Sequence, residues 1–133
     1  MRIEQVLLID DDPSIRKIAE ISLSRVGKWR VLLADSGLQA LDVVSREKPD
    51  VILLDVMMPG MDGPTTLKRL RENPSLCNTP IIFMTAKVQK HEIDTYCQMG
   101  AVGVISKPFD PMLLPAEVER IVGKLELAAT NIR

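Results

Sequence analysis

The sequence predicts a single α/β domain, a doubly wound parallel sheet in which five short strands alternate with five helices. Three observations carry that reading. Five short apolar runs recur along the chain, as expected of strands buried on both faces. Between them lie stretches with helical spacing and only short connections, which suits right-handed crossovers between parallel neighbours. Finally, 133 residues with 46% hydrophobic and 26% charged content describe one ordinary globular domain with a single core. No repeat, low-complexity tract or linker interrupts the pattern. Residues 1–133 are therefore read as one domain, with a core at about 5–127 and a frayed tail over 128–133.

The elements follow in order. Val6-Leu7-Leu8-Ile9 is the first strand, and it runs into Asp10, Asp11 and Asp12. Asp12 and Pro13 suit the N-cap and first position of a helix. Ile15, Ile18, Ala19, Ser22 and Val26 recur on one face of that helix, and Gly27 closes it. Residues 29–34 form the second strand. Ser36-Gly37-Leu38-Gln39 has the form of a capping box, and Ala40, Leu41 and Val44 give the second helix its buried face before Lys48-Pro49 ends it. The third strand, Val51-Ile52-Leu53-Leu54, meets Asp55 and then a turn rich in Pro, Gly and Asp. Gly63-Pro64 starts the third helix, which carries Leu67 and Leu70. Residues 73–79 are turn-rich and read as a surface connection. The fourth strand, 80–84, ends in Thr85-Ala86-Lys87, and a helix runs from about 88 to 99 with Gly100 as its stop. The fifth strand, 101–105, ends in Ser106-Lys107-Pro108. Val118, Ile121, Val122 and Leu125 define the last helix. Its start should be a tight turn at Asp110-Pro111, with regular helix from near Pro115, whose missing N–H interrupts the early bonds.

Composition excludes several function classes. A net charge of −1 gives no ground for nucleic-acid binding driven by overall charge. Cys77 and Cys97 are far apart with no CxxC partner, as expected of reduced thiols in a cytoplasmic protein. His91 stands alone, too few for a His-based metal site or a Ser-His-Asp system. No apolar stretch approaches the roughly 18 residues of a membrane span. The polar N-terminus enters a strand directly, unlike a signal peptide.

The chemistry collects where open α/β sheets keep their ligand crevices, outside the strand C-termini. Strand one ends in Asp10 and Asp11, strand three in Asp55, strand four in Thr85 and strand five in Lys107. Asp55 alone reads equally well as a turn cap; five polar residues at strand ends do not read as coincidence. Two carboxylates about 5 Å apart repel by roughly 3 kcal/mol at an effective dielectric near 20, so three together need cations. An all-oxygen site suits a hard divalent ion, Mg²⁺ above all. The acidic pair can hold the metal, leaving Asp55 as a nucleophile or a further ligand. A carboxylate facing Mg²⁺, a lysine and a hydroxyl is placed to attack a phosphoryl group.

These motifs resemble the receiver domain of two-component response regulators, of the single-domain, chemotaxis-regulator type. The resemblance spans nearly the whole chain. It rests on the Asp10-Asp11 pair before Arg16, on Asp55 with Met57-Met58-Pro59-Gly60-Met61-Asp62-Gly63 behind it, on Thr85-Ala86, and on Lys107-Pro108-Phe109. It implies a flavodoxin-like fold with strand order 2-1-3-4-5. It further implies that Asp55 is the phosphoacceptor and that Mg²⁺ is bound by Asp10, Asp11, Asp55 and the backbone carbonyl of Met57, with Asp11 a direct ligand. Mn²⁺ or Ca²⁺ would substitute in a crystal. Thr85 and Lys107 would contact the phosphoryl group, and the Lys107–Pro108 peptide would be cis. The donor would be a phosphohistidine on a sensor histidine kinase or a histidine phosphotransfer protein. The chain would be a regulatory phosphoacceptor with only its own self-phosphorylation and autodephosphorylation chemistry.

One position departs from the family. Many receivers carry Tyr or Phe three residues before the lysine, where this chain has Val104. With no ring to swing, switching would rest on Thr85 and the loop before helix four. Met57 and Lys87, two residues beyond Asp55 and Thr85, hold the positions that tune phosphoryl lifetime. An apolar Met57 cannot orient water, which favours a state lasting minutes or longer.

Two rivals are an aspartyl-phosphate phosphatase of the haloacid dehalogenase type, which would need an aspartate where Met57 stands, and a flavodoxin-like flavin binder, which would need a Ser/Thr/Gly-rich loop where Asp10, Asp11 and Asp12 stand. A phosphorylation-independent interaction module would not need the intact polar set. Beyond the last helix the sequence shows no DNA-binding or catalytic output segment. It is read as a single-domain regulator or a piece of a longer one. The face of helix four, strand five and helix five, with Lys90, Asp94, Glu119 and Arg120, is the candidate surface for a homodimer or a downstream protein, with no direct nucleic-acid or membrane contact.

Overall fold

A computed structural model describes the backbone of residues 2–131 and the side chains of residues 2–127. The strands are β1 (Gln5–Ile9), β2 (Arg30–Ala34), β3 (Val51–Asp55), β4 (Ile81–Thr85) and β5 (Gly103–Ser106). The helices are α1 (Pro13–Ile21), α2 (Gly37–Val44), α3 (Gly63–Arg71), α4 (Lys90–Gln98) and α5 (Leu114–Asn131). The five strands form one sheet in the order β2-β1-β3-β4-β5, and every neighbouring pair is parallel. The expected fold class and strand order are both present. No helix among the described residues is long and apolar enough to cross a membrane.

Alternation along each strand splits the core in two. Leu7, Ile9, Ile52, Leu54, Ile81 and Phe83 face one way, against Leu67 and Leu70 of α3 and Tyr96 of α4. Val6, Leu8, Val51, Leu53, Ile82 and Met84 face the other, against Ala19 of α1 and Leu114, Val118 and Val122 of α5. With both faces covered, these strands need the near-continuous apolar runs seen in the sequence.

Several boundaries differ from the sequence reading. Strand β4 lies one residue later than expected, β5 begins two residues later, and α2 ends at Val44, four residues before Lys48-Pro49. α1 gives way at Ser22 to a π-helical turn, Ser22–Val26. About one extra residue per turn rotates the face beyond Ser22, so Leu23 is buried while Val26 is 40% exposed; Ile18, upstream in regular α1, is 44% exposed, also against the expected stripe. Gly27 does follow this helix, but the left-handed residue is Lys28, at φ 62°. The capping box forms its first half, Gln39 N–H to Ser36 Oγ at 3.1 Å, while the Gln39 side chain accepts from Asp35 N–H one residue further out. Residues 73–79 are more than a surface connection. They hold a 3₁₀ turn, Pro74–Leu76, with Leu76 and Thr79 buried, and Arg71 donates to the carbonyls of both. α5 opens with the expected tight turn at Asp110, though Leu125 on its far end is 40% exposed. Its helix runs to Asn131; of the residues 128–133 expected to fray, only 132 and 133 lie outside the described backbone.

Candidate functional site

Asp10 follows β1 directly, and its N–H donates to the Ala34 carbonyl of β2 at 3.1 Å. One of its oxygens, Oδ1, accepts the Asp12 N–H at 2.9 Å, and the Asp12 carboxylate caps α1 through the N–H groups of Ser14 and Ile15. Arg16, one turn into α1, donates to the Asp10 carbonyl at 2.8 Å. The acidic loop is thus pinned from both sides, with the Asp10 side chain almost wholly buried and Asp11 exposed beside it.

Asp55 closes β3, in register with Met84 of β4. Beyond it, Val56 N–H donates to Met84 O at 3.2 Å and Gly63 N–H to Val56 O at 2.9 Å, folding the turn back onto the strand end. Gly63 is required there. A Cβ at that position would lie 2.8 Å from Val56 Cα and closer still to the Asp55 carbonyl. Asp62 then caps α3 by accepting Thr65 N–H at 2.9 Å, and this bond holds its carboxyl below the usual carboxylate range.

Lys107 N–H donates to Thr85 O at 2.9 Å, which carries the lysine from β5 towards the same edge. Its Nζ lies 2.6 Å from Asp10 Oδ2 and 3.0 Å from Asp55 Oδ1, bridging the two strand ends. The Lys107–Pro108 peptide is cis, as the resemblance implied. Thr85 is buried, and its hydroxyl accepts Lys87 N–H at 3.0 Å, which leaves its own proton free to donate.

Carboxylate oxygens of Asp10, Asp11 and Asp55 all fall within 4.8 Å of one another. One ammonium therefore stands among three carboxylates. Burial pushes the Asp55 carboxyl up; Lys107 opposes this, and the nearby Asp10 charge adds to it. Burial works against the Lys107 ammonium, but its hydrogen bonds to Asp10 and Asp55 outweigh that and hold it above the ordinary lysine value. The site thus keeps surplus negative charge beside a buried nucleophile-type oxygen, an arrangement suited to a hard cation.

A family model for the response regulator receiver domain matches residues 6–119. The chain belongs to the receiver family. Among its relatives, the probable transcriptional regulator ycf27 of Porphyridium aerugineum is 37% identical over 131 residues, 98% of this chain and 53% of that protein. The alkaline phosphatase synthesis transcriptional regulatory protein PhoP of Bacillus subtilis is 36% identical over 128 residues, 96% of this chain and 51% of that protein. This receiver therefore spans about half the length of the curated relatives it matches. The chemotaxis response regulator CheY4 of Vibrio cholerae superposes with a TM-score of 0.84 at 32% identity, covering 90% of this chain and 99% of that one.

The receiver structure brings Asp10, Asp11, Asp55 and Lys107 together, with Thr85 at the neighbouring strand end and bonded through its backbone to Lys107. Met57 presents its side chain to solvent, 68% exposed, while its backbone N–H favours the ionised form of Asp55. Ala86 and Lys87 are exposed, and Val104 is half-buried against the α3 and α4 side of the core. In the sequence Arg16 is only a landmark for the acidic pair, whereas in the structure it holds the Asp10 carbonyl. Its position one turn beyond the Asp12 cap was the available signal that it could reach back to the Asp10 carbonyl.

Proposed function

We propose that Asp55 accepts a phosphoryl group from a phosphohistidine of a sensor histidine kinase or a histidine phosphotransfer protein. The observation that carries this is the single Lys107 ammonium shared by Asp10 and Asp55 inside a cluster of three carboxylates. In the reaction an Asp55 carboxylate oxygen attacks phosphorus, the new P–O bond forms as the P–N bond breaks, and the imidazole leaves and takes up a proton.

The residues fit a divalent ion: the donors are all oxygens, and one ammonium leaves the three carboxylates undercompensated. Asp10, Asp11 and Asp55 would hold Mg²⁺, with the Met57 carbonyl as a fourth protein ligand. When bound, the ion neutralises charge developing on the phosphoryl oxygens. Lys107 Nζ, freed from its pairing with Asp55 as that oxygen is phosphorylated, turns to a phosphoryl oxygen. Thr85 donates its hydroxyl proton to another while still accepting Lys87 N–H, so phosphorylation is felt at once in the loop before α4.

Val104 carries no ring, so this loop relays the signal to α4, β5 and α5, where exposed Lys90, Asp94, Glu119 and Arg120 form the surface for a downstream protein or a second copy. Met57, exposed and apolar, does not order an attacking water, which favours a long-lived phosphorylated state. Acetyl phosphate with Mg²⁺ should retard the wild-type band in a Phos-tag gel and leave Asp55→Asn unshifted. Equal retardation of both proteins would refute the assignment.

A further inference from the structure

α5 opens on a defect that another helix repairs. Asp110 starts the turn: its carboxylate accepts Met112 N–H at 2.8 Å, and its carbonyl accepts the N–H groups of Leu113 and Leu114, both at 2.9 Å. The next carbonyl belongs to Pro111. Its helical donor would be the N–H four residues on, but that residue is Pro115, which has none. The Ser22 hydroxyl donates to the Pro111 carbonyl instead.

Ser22 is 2% exposed and begins the π-helical turn at the end of α1. That turn sets Ser22 and Leu23 side by side on the buried face. Gly27 completes the fit, since a Cβ there would stand 3.2 Å from Pro115 Cβ and 2.6 Å from Leu23 O. The end of α1 and the start of α5 are therefore matched twice: hydroxyl to orphaned carbonyl, and glycine to proline ring.

What this junction holds is the connection that delivers Lys107. The segment 107–111 is anchored at its start by Lys107 N–H to Thr85 O and at its end by Ser22 to Pro111 O. Phe109, between the anchors, packs partly buried on the core. At its other end the same helix α1 fixes Asp10 through Arg16. One helix thus bears on both partners of the 2.6 Å Lys107–Asp10 ion pair.

We propose that Ser22 is a positioning residue for the phosphoryl site: by satisfying the carbonyl that Pro115 orphans, it fixes the connection carrying Lys107 and so tunes chemistry at Asp55 without touching it. The inference rests on the role given above to Lys107. Two readouts separate the claims: hydrogen exchange of the Lys107 amide, and the initial rate of phosphorylation by acetyl phosphate with Mg²⁺. Ser22→Ala should speed that exchange about tenfold, the scale of one lost hydrogen bond, and slow phosphorylation by on the order of tenfold. Pro115→Ala keeps the Cβ and restores an N–H at that position, so both effects should shrink to less than about threefold when Ser22→Ala is made in that background. In a Lys107→Ala background Ser22→Ala should cost no further rate.

Unchanged exchange and rate in Ser22→Ala would overturn the proposal. So would equal losses with and without Pro115→Ala, or an undiminished rate loss in the Lys107→Ala background, which would mark a general structural role. A wild-type protein that never takes up phosphate would instead defeat the function proposed for Asp55. The exchange measurements across the Ser22 and Pro115 variants would then still decide whether the anchor exists.

Discussion

Asp50 and Asp55 bracket the same strand, and their surroundings are opposite. Asp50 precedes β3 and accepts the backbone N–H groups of Glu4 and Gln5, both at 2.9 Å, tying the bottom of β1 to β3. Nearby, Gln5 Nε2 donates to Lys48 O, and Arg71 spans the carbonyls of Leu76, Thr79 and Gly100. Polar groups at that edge are satisfied by neutral backbone partners. Asp55, at the other end, is 6% exposed and shares one ammonium with Asp10, while Asp11 adds a third carboxylate. The first edge is finished by folding; the second is left with three carboxylates around one ammonium. A buried carboxylate is informative about function when its partners fall short of its charge.

Substitutions can break this contrast from either side. The largest effect is expected for Lys107→Met, which leaves Asp10 and Asp55 facing each other without a cation. Urea unfolding at neutral pH without divalent ions should show a loss of about 3 kcal/mol. Because Lys107 is held above its ordinary value by its carboxylate partners, its stabilisation is complete below the unfolded lysine value near 10.4 and fades as pH rises beyond it. The difference between Lys107→Met and wild type should therefore narrow in strongly alkaline solution.

Next comes Asp50→Ala, which strands two N–H groups and should cost about 2 kcal/mol while changing the phosphorylation rate less than twofold. A loss of phosphorylation as deep as that of Asp55→Asn would erase the proposed division between the two edges.

Asp55→Asn should do the reverse, abolishing phosphorylation while raising stability by about 1 kcal/mol at neutral pH. That is a fraction of the roughly 3 kcal/mol repulsion between carboxylates 5 Å apart. The sign follows from burial, which raises the Asp55 value: the protonated form is favoured in the fold, so its ionisation weakens the fold as pH climbs. Thermal melts across pH should show the gain of Asp55→Asn shrinking as pH falls towards the unfolded aspartate value near 3.9.

The Asp55 side of this contrast was legible in the sequence, for a physical reason. Asp10, Asp11, Asp55, Thr85 and Lys107 sit where apolar runs stop, and a parallel sheet forces all strand C-termini to one edge. The order of the strands followed from the resemblance and agrees with the sheet. What escaped is held by contacts without local pattern. Arg71 bonds carbonyls five, eight and 29 residues away, and nothing in its neighbourhood announces that. Ser22 read as one more position on a helical face, because a π turn leaves no mark on a 3.6-residue period. The same turn explains why Val26 emerges at the surface. The Asp50 bridge escaped as well, since its two partners lie 46 and 45 residues away in sequence.

The most direct test of the contrast is Mg²⁺ titration by calorimetry on wild type, Asp11→Asn and Asp50→Asn. The surplus charge at Asp10, Asp11 and Asp55 predicts one site in wild type and Asp50→Asn with matching affinity. Asp11→Asn should bind at least about tenfold more weakly, a difference near 1.4 kcal/mol. Unchanged affinity in Asp11→Asn, or loss of the site in Asp50→Asn, would contradict it.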